Sequence, residues 1–204
     1  MSKNVTVTIY RFGELAEKAK ETAKNYLIEG MDFISEIVTD HFKEELKALF
    51  LPYDDVKWRL SCCQGDGVAF YGMLDLEGYL RKHRMFRKYR SLFCRMTQNG
   101  SDIMCPKWDF EISKNQNFYQ YDHQNTMWID YYDCDLDGNH IRLCENTRIC
   151  FMKHLTNHIK SVSRELEKKG YNMIDDYHTD EYVEDCCEAG DIWFDNRGRI
   201  FREF

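Results

Sequence analysis

The chain has 204 residues, 43% of them hydrophobic, and a formal net charge of −7. This length can bury one substantial core, and two prolines leave little room for a flexible linker, so we expect a single domain over residues 1–204. The acidic balance argues against broad affinity for nucleic-acid phosphates. The sequence contains no stretch of about 18 apolar residues, so no membrane span is predicted. The nine cysteines include no CxxC pair, which favours free thiols in a reducing, cytoplasmic compartment.

The first 52 residues predict one strand and two helices. Residues 5–11 alternate apolar side chains with threonines, which indicates a strand. A helix is expected over residues 14–29, where Ala19 and Ala23 would let it lie close to a sheet. A second helix is expected over residues 32–50, closed by the Leu51-Pro52 step.

Residues 56–74 predict the hairpin around which the other elements pack. Before the turn, apolar residues from Val56 to Cys62 alternate with polar ones, which is typical of a strand with one buried face. Residues 68–74 are apolar on both faces, as in a central strand. Gln64-Gly65-Asp66-Gly67 joins the two strands as a close turn.

Residues 76–96 contain a basic segment, RKHRMFRKYR. One interpretation is a helix with Leu80, Phe86 and Leu92 buried and its cations in water. The alternative is a contact surface for nucleic acid or for an acidic partner. The candidate partner-binding residues here are Arg81, Lys82, Arg84, Arg87, Lys88 and Arg90. A turn at Asn99-Gly100 and a strand over residues 107–112 are expected next.

Residues 126–143 predict a second hairpin that turns at Asp137-Gly138. Asp133, Asp135 and Asp137 resemble the opening of a calcium-binding loop, but Cys144 stands where such a loop needs its bidentate glutamate. We therefore interpret the aspartates as an acidic hairpin turn.

A long helix is expected over residues 146–169, with Gly170 as its C-cap. Cys150, His154 and His158 recur every four residues, a spacing that aligns metal ligands along a helix. Cys150 lies almost opposite the apolar stripe, so a zinc site would form partly in solvent. We expect no bound metal and no cofactor, and we interpret these side chains as unligated.

The C-terminal region is acidic. Thr179 or Asp180 is expected to cap a short helix that Gly190 ends, and a small hairpin is expected around residues 195–198. The acidic charge fits either a solvated helix or a surface that mimics nucleic-acid phosphates and binds a protein. The candidate partner-binding residues are Asp175, Asp176, Asp180, Glu181, Glu184, Asp185 and Glu188.

Three segments carry a resemblance: YRFGELAEKAKETAKNYL, CQGDGVAFYG and SRELEKKGYNMIDDYHTDEYVEDCCEAGDIWFDNRGRIF. Together they resemble a family of small proteins from phages and prophages, described as "antitoxin of toxin-antitoxin stability system". The resemblance implies no catalytic residues. It implies an accessory protein that neutralises a bacterial toxin or defence effector, in the manner of an anti-CRISPR protein, in the cytoplasm of the bacterial host.

The sequence contains no phosphate-binding GxxxxGK[ST] loop, no GxSxG elbow, no HExxH motif and no dinucleotide fingerprint. A Cys-His nucleophile pair in an enzyme acting on a small molecule stays open, since such partners meet only in the fold. We expect an α+β fold, an antiparallel sheet with helices packed mainly on one face, and a non-enzymatic protein-binding function. Direct nucleic-acid binding through residues 81–90 is the alternative.

Overall fold

The structure is a computed structural model that describes residues 8–29, 33–63, 65–98, 101–115, 121–133 and 145–201. It combines helices with antiparallel sheets, which confirms the expected α+β class. The chain forms two compact units, one from its two ends, up to Val38 and from Tyr171 onward, and one from Thr39–Gly170. The single-domain prediction stays a prediction.

The helices are α1 Glu17–Glu29, α2 Phe33–Ala48, α3 Leu76–Lys82, α4 Glu145–Tyr177 and α5 Asp180–Ala189. The strands are β1 Asp55–Arg59, β2 Gly67–Met73, β3 Phe93–Gln98, β4 Ser101–Pro106, β5 Trp108–Lys114 and β6 Met127–Asp133. Short 3-10 turns lie at Phe12–Glu14 and Arg90–Leu92. None of the described helices has both the length and the apolar composition of a membrane span.

The second unit contains a four-stranded antiparallel sheet in the order β1-β2-β5-β6. Trp58 of β1 pairs with Val68 of β2, and β2 is buried along most of its length, which confirms the predicted hairpin and its central strand. β1 ends at Arg59, before the predicted Cys62. The Asp66 carboxylate accepts the backbone N–H groups of Ser61 (2.6 Å) and Cys63 (2.9 Å), and this wider loop replaces a close turn.

β5 confirms the strand expected over residues 107–112, and β6 pairs with it through Ile112 and Ile129. The return strand that was expected after β6, with its turn at Asp137-Gly138, lies outside the described residues. β3 and β4 form a separate two-stranded sheet, and the Asn99-Gly100 turn between them also lies outside the described residues.

α4 packs on one face of the four-stranded sheet. Its Phe151 ring lies 4.9 Å from the Phe110 ring of β5, and the Ser163 hydroxyl donates to the Val68 carbonyl oxygen of β2. On the opposite face of the sheet, Met73 and Trp128 are exposed. This arrangement matches the expectation that helices cover mainly one face.

The expectation that Gly170 caps the long helix is wrong, because α4 continues to Tyr177. Gly170 is buried within the helix, and a Cβ there would overlap Leu60 Cδ1 and lie 2.8 Å from Phe42 Cζ. The close approach of these two side chains to the α4 backbone, and not a helix end, explains the glycine.

The single helix that residues 76–96 suggested is also not found, because α3 ends at Lys82. Arg84 adopts a left-handed backbone conformation (φ 56°), and the Met85 N–H donates to the Leu80 carbonyl oxygen, which closes the helix. Phe50 adopts the same conformation beyond α2, where the Leu51 N–H donates to the Leu46 carbonyl oxygen. The predicted end of α2 near Leu51 is therefore confirmed.

The first unit has its own small core, in which Ala19 and Ala23 of α1 lie with Val183, Cys187 and Phe194. The two alanines, which were expected against the sheet, thus pack in a cluster that includes α5. Thr179 caps α5 by accepting the Tyr182 N–H, and Gly190 ends the helix, as predicted. Of the strand expected over residues 5–11, residues 5–7 lie outside the described ranges.

The C-terminal hairpin is reduced to isolated bridges, Tyr10 with Phe194 and Phe194 with Ile200. Its turn contains Gly198, which adopts φ 79° and lies against the α1 backbone. A Cβ at this position would overlap the carbonyl oxygen of Ala19.

We predict that Gly198→Ala lowers the free energy of unfolding by about 3 kcal/mol, because alanine adds both left-handed strain and this backbone overlap. Urea unfolding followed by circular dichroism measures the loss. Asn196→Ala, at an exposed position of the same turn, is the control and should change stability by less than about 0.5 kcal/mol. Equal stability of Gly198→Ala and wild type would contradict the prediction.

Candidate protein-binding surfaces

The predicted acidic residues lie at the end of α4 and along α5. All are exposed except Glu184, which is half-buried. Val183 and Cys187 are the buried residues of α5. Glu181, Asp185 and Glu188, at spacings of four and three residues, share an exposed face of that helix. We call these three residues the α5 acidic stripe.

Two of the predicted acidic residues have structural contacts. Asp180 forms ion pairs with Lys24 and Lys20 of α1, and the hydrogen bond from Lys24 lowers the pKa of this carboxyl. The Glu184 carboxylate occupies the space that a side chain on Gly13 would need. These contacts join α5 to the N-terminal segment.

The other acidic residues are not neutralised in this way. Within the described ranges, neither the α5 acidic stripe nor Asp175 and Asp176 forms an ion pair. The structure therefore divides the predicted acidic patch into residues that hold α5 in place and residues that remain available to a partner.

The six predicted basic residues of segment 81–90 are all exposed, but no continuous helix aligns them. Arg81 pairs with Glu77 (2.6 Å) and lies over the Phe86 ring. Lys88 lies 5.0 Å from the centre of the Tyr89 ring. Among the residues that the structure describes, the remaining four have no ion-pair partner: Lys82, Arg84, Arg87 and Arg90.

A third surface was not predicted from the sequence. Met73, Trp128 and Tyr132 are 53%, 57% and 51% exposed on the face of the sheet opposite α4. We call this surface, made by Met73, Glu111, Ser113, Trp128, Asp130 and Tyr132, the outer sheet face. The alternation along β6 was visible in the sequence, but aromatic residues on both sides of the strand hid which side faces water.

Two carboxylates lie at the centre of the outer sheet face. Glu111 and Asp130 are directly opposite each other on β5 and β6, an arrangement that is unfavourable for like charges. The Tyr132 hydroxyl donates to Glu111 Oε2 (2.7 Å), and the Ser113 hydroxyl donates to Asp130 Oδ2 (2.5 Å). The hydrogen bond to Glu111 raises the pKa of Tyr132. Neither carboxylate forms an ion pair with a described residue.

Comparisons with protein-family models, with curated proteins and with solved structures find no match to this chain. The resemblance to the phage and prophage family therefore stays a prediction.

A histidine cluster lies in the second unit. The Tyr79 hydroxyl and His158 Nδ1 form a hydrogen bond of 2.8 Å, and the His83 ring lies 4.7 Å from the His158 ring. Burial, together with the neighbouring imidazoles of His83 and His154, lowers the pKa of His158 to about 4. His83 Nε2 lies 3.3 Å from the Leu49 carbonyl oxygen. Within this aromatic packing, the imidazole of His158 therefore stays neutral at pH 7.

Cys150, His154 and His158 do not come together as a zinc site in the described part of the chain. His154 and His158 stack along α4 while Cys150 is exposed, and the described part of the chain contains no group of three His, Cys, Asp or Glu side chains that could hold a metal ion. Of the acidic turn, Asp133 ends β6, and Asp135 and Asp137 lie outside the described residues.

We predict that His158 makes the protein less stable in acid. Its pKa is about 4 in the folded state and near 6.5 when unfolded, so the unfolded chain binds an extra proton between these pH values. The contribution of the neutral His158 to the free energy of unfolding is therefore fully present above about pH 6.5 and is lost as the pH falls toward 4. From pH 7 to 4.5, wild type should lose about 2 kcal/mol more than His158→Gln in urea unfolding.

The control is His178→Gln, which replaces an exposed histidine and should keep the wild-type dependence on pH. Parallel pH profiles for wild type and His158→Gln would contradict the assignment of a half-buried, neutral imidazole.

Proposed function

We propose that this chain is a non-enzymatic binding protein that inhibits a bacterial toxin or defence effector, such as a CRISPR nuclease, by occupying a surface that the effector needs. The observation that carries this proposal is the α5 acidic stripe, with three carboxylates on one exposed helix face and no cation paired with them in the described ranges. The proposed contact is an acidic surface that takes the place of nucleic acid on a basic effector.

Local stability does not account for the stripe. Like charges four residues apart, as in Glu181 and Asp185, destabilise a helix by roughly 0.2–0.5 kcal/mol. Glu181 is favoured near the helix N-terminus, but Glu188 lies in the last turn, where the macrodipole disfavours negative charge. A stripe that costs helix stability supports a role outside the fold.

The acidic charge also supports the class of partner. A chain with a net charge of −7 is attracted to a positively charged surface from a distance, which raises the rate of association. Nucleic-acid-binding effectors carry such basic surfaces. The resemblance to phage proteins adds the bacterial cytoplasm as the proposed location.

We predict that Glu181→Lys, Asp185→Lys and Glu188→Lys together weaken effector binding at least about tenfold, because repulsion replaces attraction. The wild-type chain would be used to capture partners from lysate of a bacterium that carries toxin and CRISPR systems, with bound protein and nucleic acid identified by mass spectrometry. The captured effector is then purified, and its affinity and inhibition are measured with the wild-type chain and the variant.

The matched control is Glu36→Lys, Asp40→Lys and Glu44→Lys on α2. It also reverses two glutamates and one aspartate at exposed positions without an ion pair among the described residues, so the net charge changes equally. Asp180 stays unchanged because its pairs with Lys20 and Lys24 are structural. If the stripe variant still binds and inhibits as well as this control, the contact proposed on α5 is wrong.

A second candidate function, direct nucleic-acid binding, is favoured by the four exposed cations of segment 81–90 that lack an ion pair in the described ranges. Four phosphate contacts would give a plot of log affinity against log salt concentration with a slope of about −3 for single strands. We predict that Arg87→Gln and Arg90→Gln together flatten this slope by about 1.4.

Fluorescence anisotropy with a labelled single-stranded oligonucleotide measures this dependence between 50 and 200 mM salt, a range of about fourfold. Glu36→Gln with Asp40→Gln serves as a control on a different surface. Absence of binding at the lowest salt concentration would exclude this second function.

A further inference from the structure

We propose that the outer sheet face is a docking surface for a protein partner that presents arginine side chains. This inference deepens the proposed function and rests on it in one respect, that the chain acts by binding a protein. It adds a contact surface and the chemistry of the partner residues that this surface receives.

The order of side chains along β6 supports arginine as the group that is bound. Trp128, Asp130 and Tyr132 project from the same side of the strand, and residues two apart lie about 7 Å from each other. The central carboxylate is therefore flanked by two exposed aromatic rings. A guanidinium can stack on an aromatic ring while its N–H groups bind a carboxylate in two places, which the ammonium of lysine cannot do.

The two carboxylates are oriented before a partner arrives. Each accepts one hydroxyl hydrogen bond, Glu111 from Tyr132 and Asp130 from Ser113, and each retains acceptor positions for a cation. The hydroxyl groups bring no positive charge. A guanidinium placed between Glu111 and Asp130 would relieve the repulsion between them.

The nearby lysines of the sheet already have partners. Lys57 pairs with Asp55 (3.0 Å), and Lys114 pairs with Asp122 (2.8 Å). Among the residues that the structure describes, neither lysine forms an ion pair with Glu111 or Asp130. Met73, which is exposed next to Glu111, adds an adaptable apolar contact of the kind that suits a binding surface. Negative charge with exposed aromatic rings is complementary to an arginine-rich surface and repels nucleic acid.

To test this, the full-length, 15N-labelled chain is titrated with hexa-arginine and, separately, with hexa-lysine at equal ionic strength, and binding is measured from NMR chemical shifts. We expect hexa-arginine to bind about tenfold more tightly, since two aromatic contacts favour arginine. The indole N–H resonance of Trp128, assigned with Trp128→Phe, should shift together with the amides of β5 and β6.

Two variants separate the parts of the surface. Trp128→Ala with Tyr132→Ala should lower the affinity for hexa-arginine about tenfold and remove the preference over hexa-lysine. Glu111→Gln with Asp130→Asn, which keeps the size of both side chains, should lower the affinity for both peptides. In the control, Glu36→Lys with Asp40→Lys, the Trp128 indole N–H resonance should shift on addition of hexa-arginine as it does in wild type. The NMR spectrum of each variant reports whether it is folded.

Equal affinity for the two peptides, or shifts confined to α5, would overturn the inference. A dimer in analytical ultracentrifugation that Trp128→Ala abolishes would assign the surface to a second copy of the chain and would also overturn it. If arginine selectivity is found at Trp128 but no effector is captured or inhibited, the docking surface stands and the proposed function fails. If an effector is inhibited equally by wild type and by Trp128→Ala with Tyr132→Ala, the inference fails and the proposed function stands.

Discussion

The packing of Phe151 is the contact on which the second unit depends. The centre of its ring lies 4.9 Å from that of Phe110 in β5, 6.1 Å from that of Tyr79 in α3 and 5.2 Å from that of Tyr89, which precedes β3. Each pair is near edge-to-face. Such pairs add about 0.5–1.5 kcal/mol each to the burial of their surface. A single side chain of α4 thus joins the sheet, the short helix α3 and the turn before β3, and Tyr79 also forms the hydrogen bond to His158.

α4 covers one face of the sheet, and on the other face Met73, Trp128 and Tyr132 stay open to solvent, whereas Ala69 and Tyr71 are buried. The exposure of Trp128 and Tyr132 follows from this packing, and exposed large aromatic side chains are typical of surfaces that bind proteins. The proposed docking surface is thus a product of where the helix packs.

The structure also divides the acidic charge by role. Asp180 belongs to the fold, because it pairs with Lys20 and Lys24, whereas Glu181 and Asp185 have no ion pair in the described ranges. These residues are neighbours in the sequence, and composition cannot separate them. Their difference comes from the side of α5 that each occupies, which the buried Val183 and Cys187 decide.

The sequence by itself determined the elements whose cause is local: the alternation that makes the hairpin of β1 and β2, and the capping of α5 by Thr179. Features that need residues distant in the sequence were decided only by the tertiary structure. Gly170 resembled a helix end, but its role is to admit Phe42 and Leu60 against α4, and neither is near it in the chain. The outer sheet face likewise exists only because β5 separates β2 from β6, so that Met73, Glu111 and Asp130 come together across three strands. Periodicity reports which residues share a face, whereas only packing decides which face is covered.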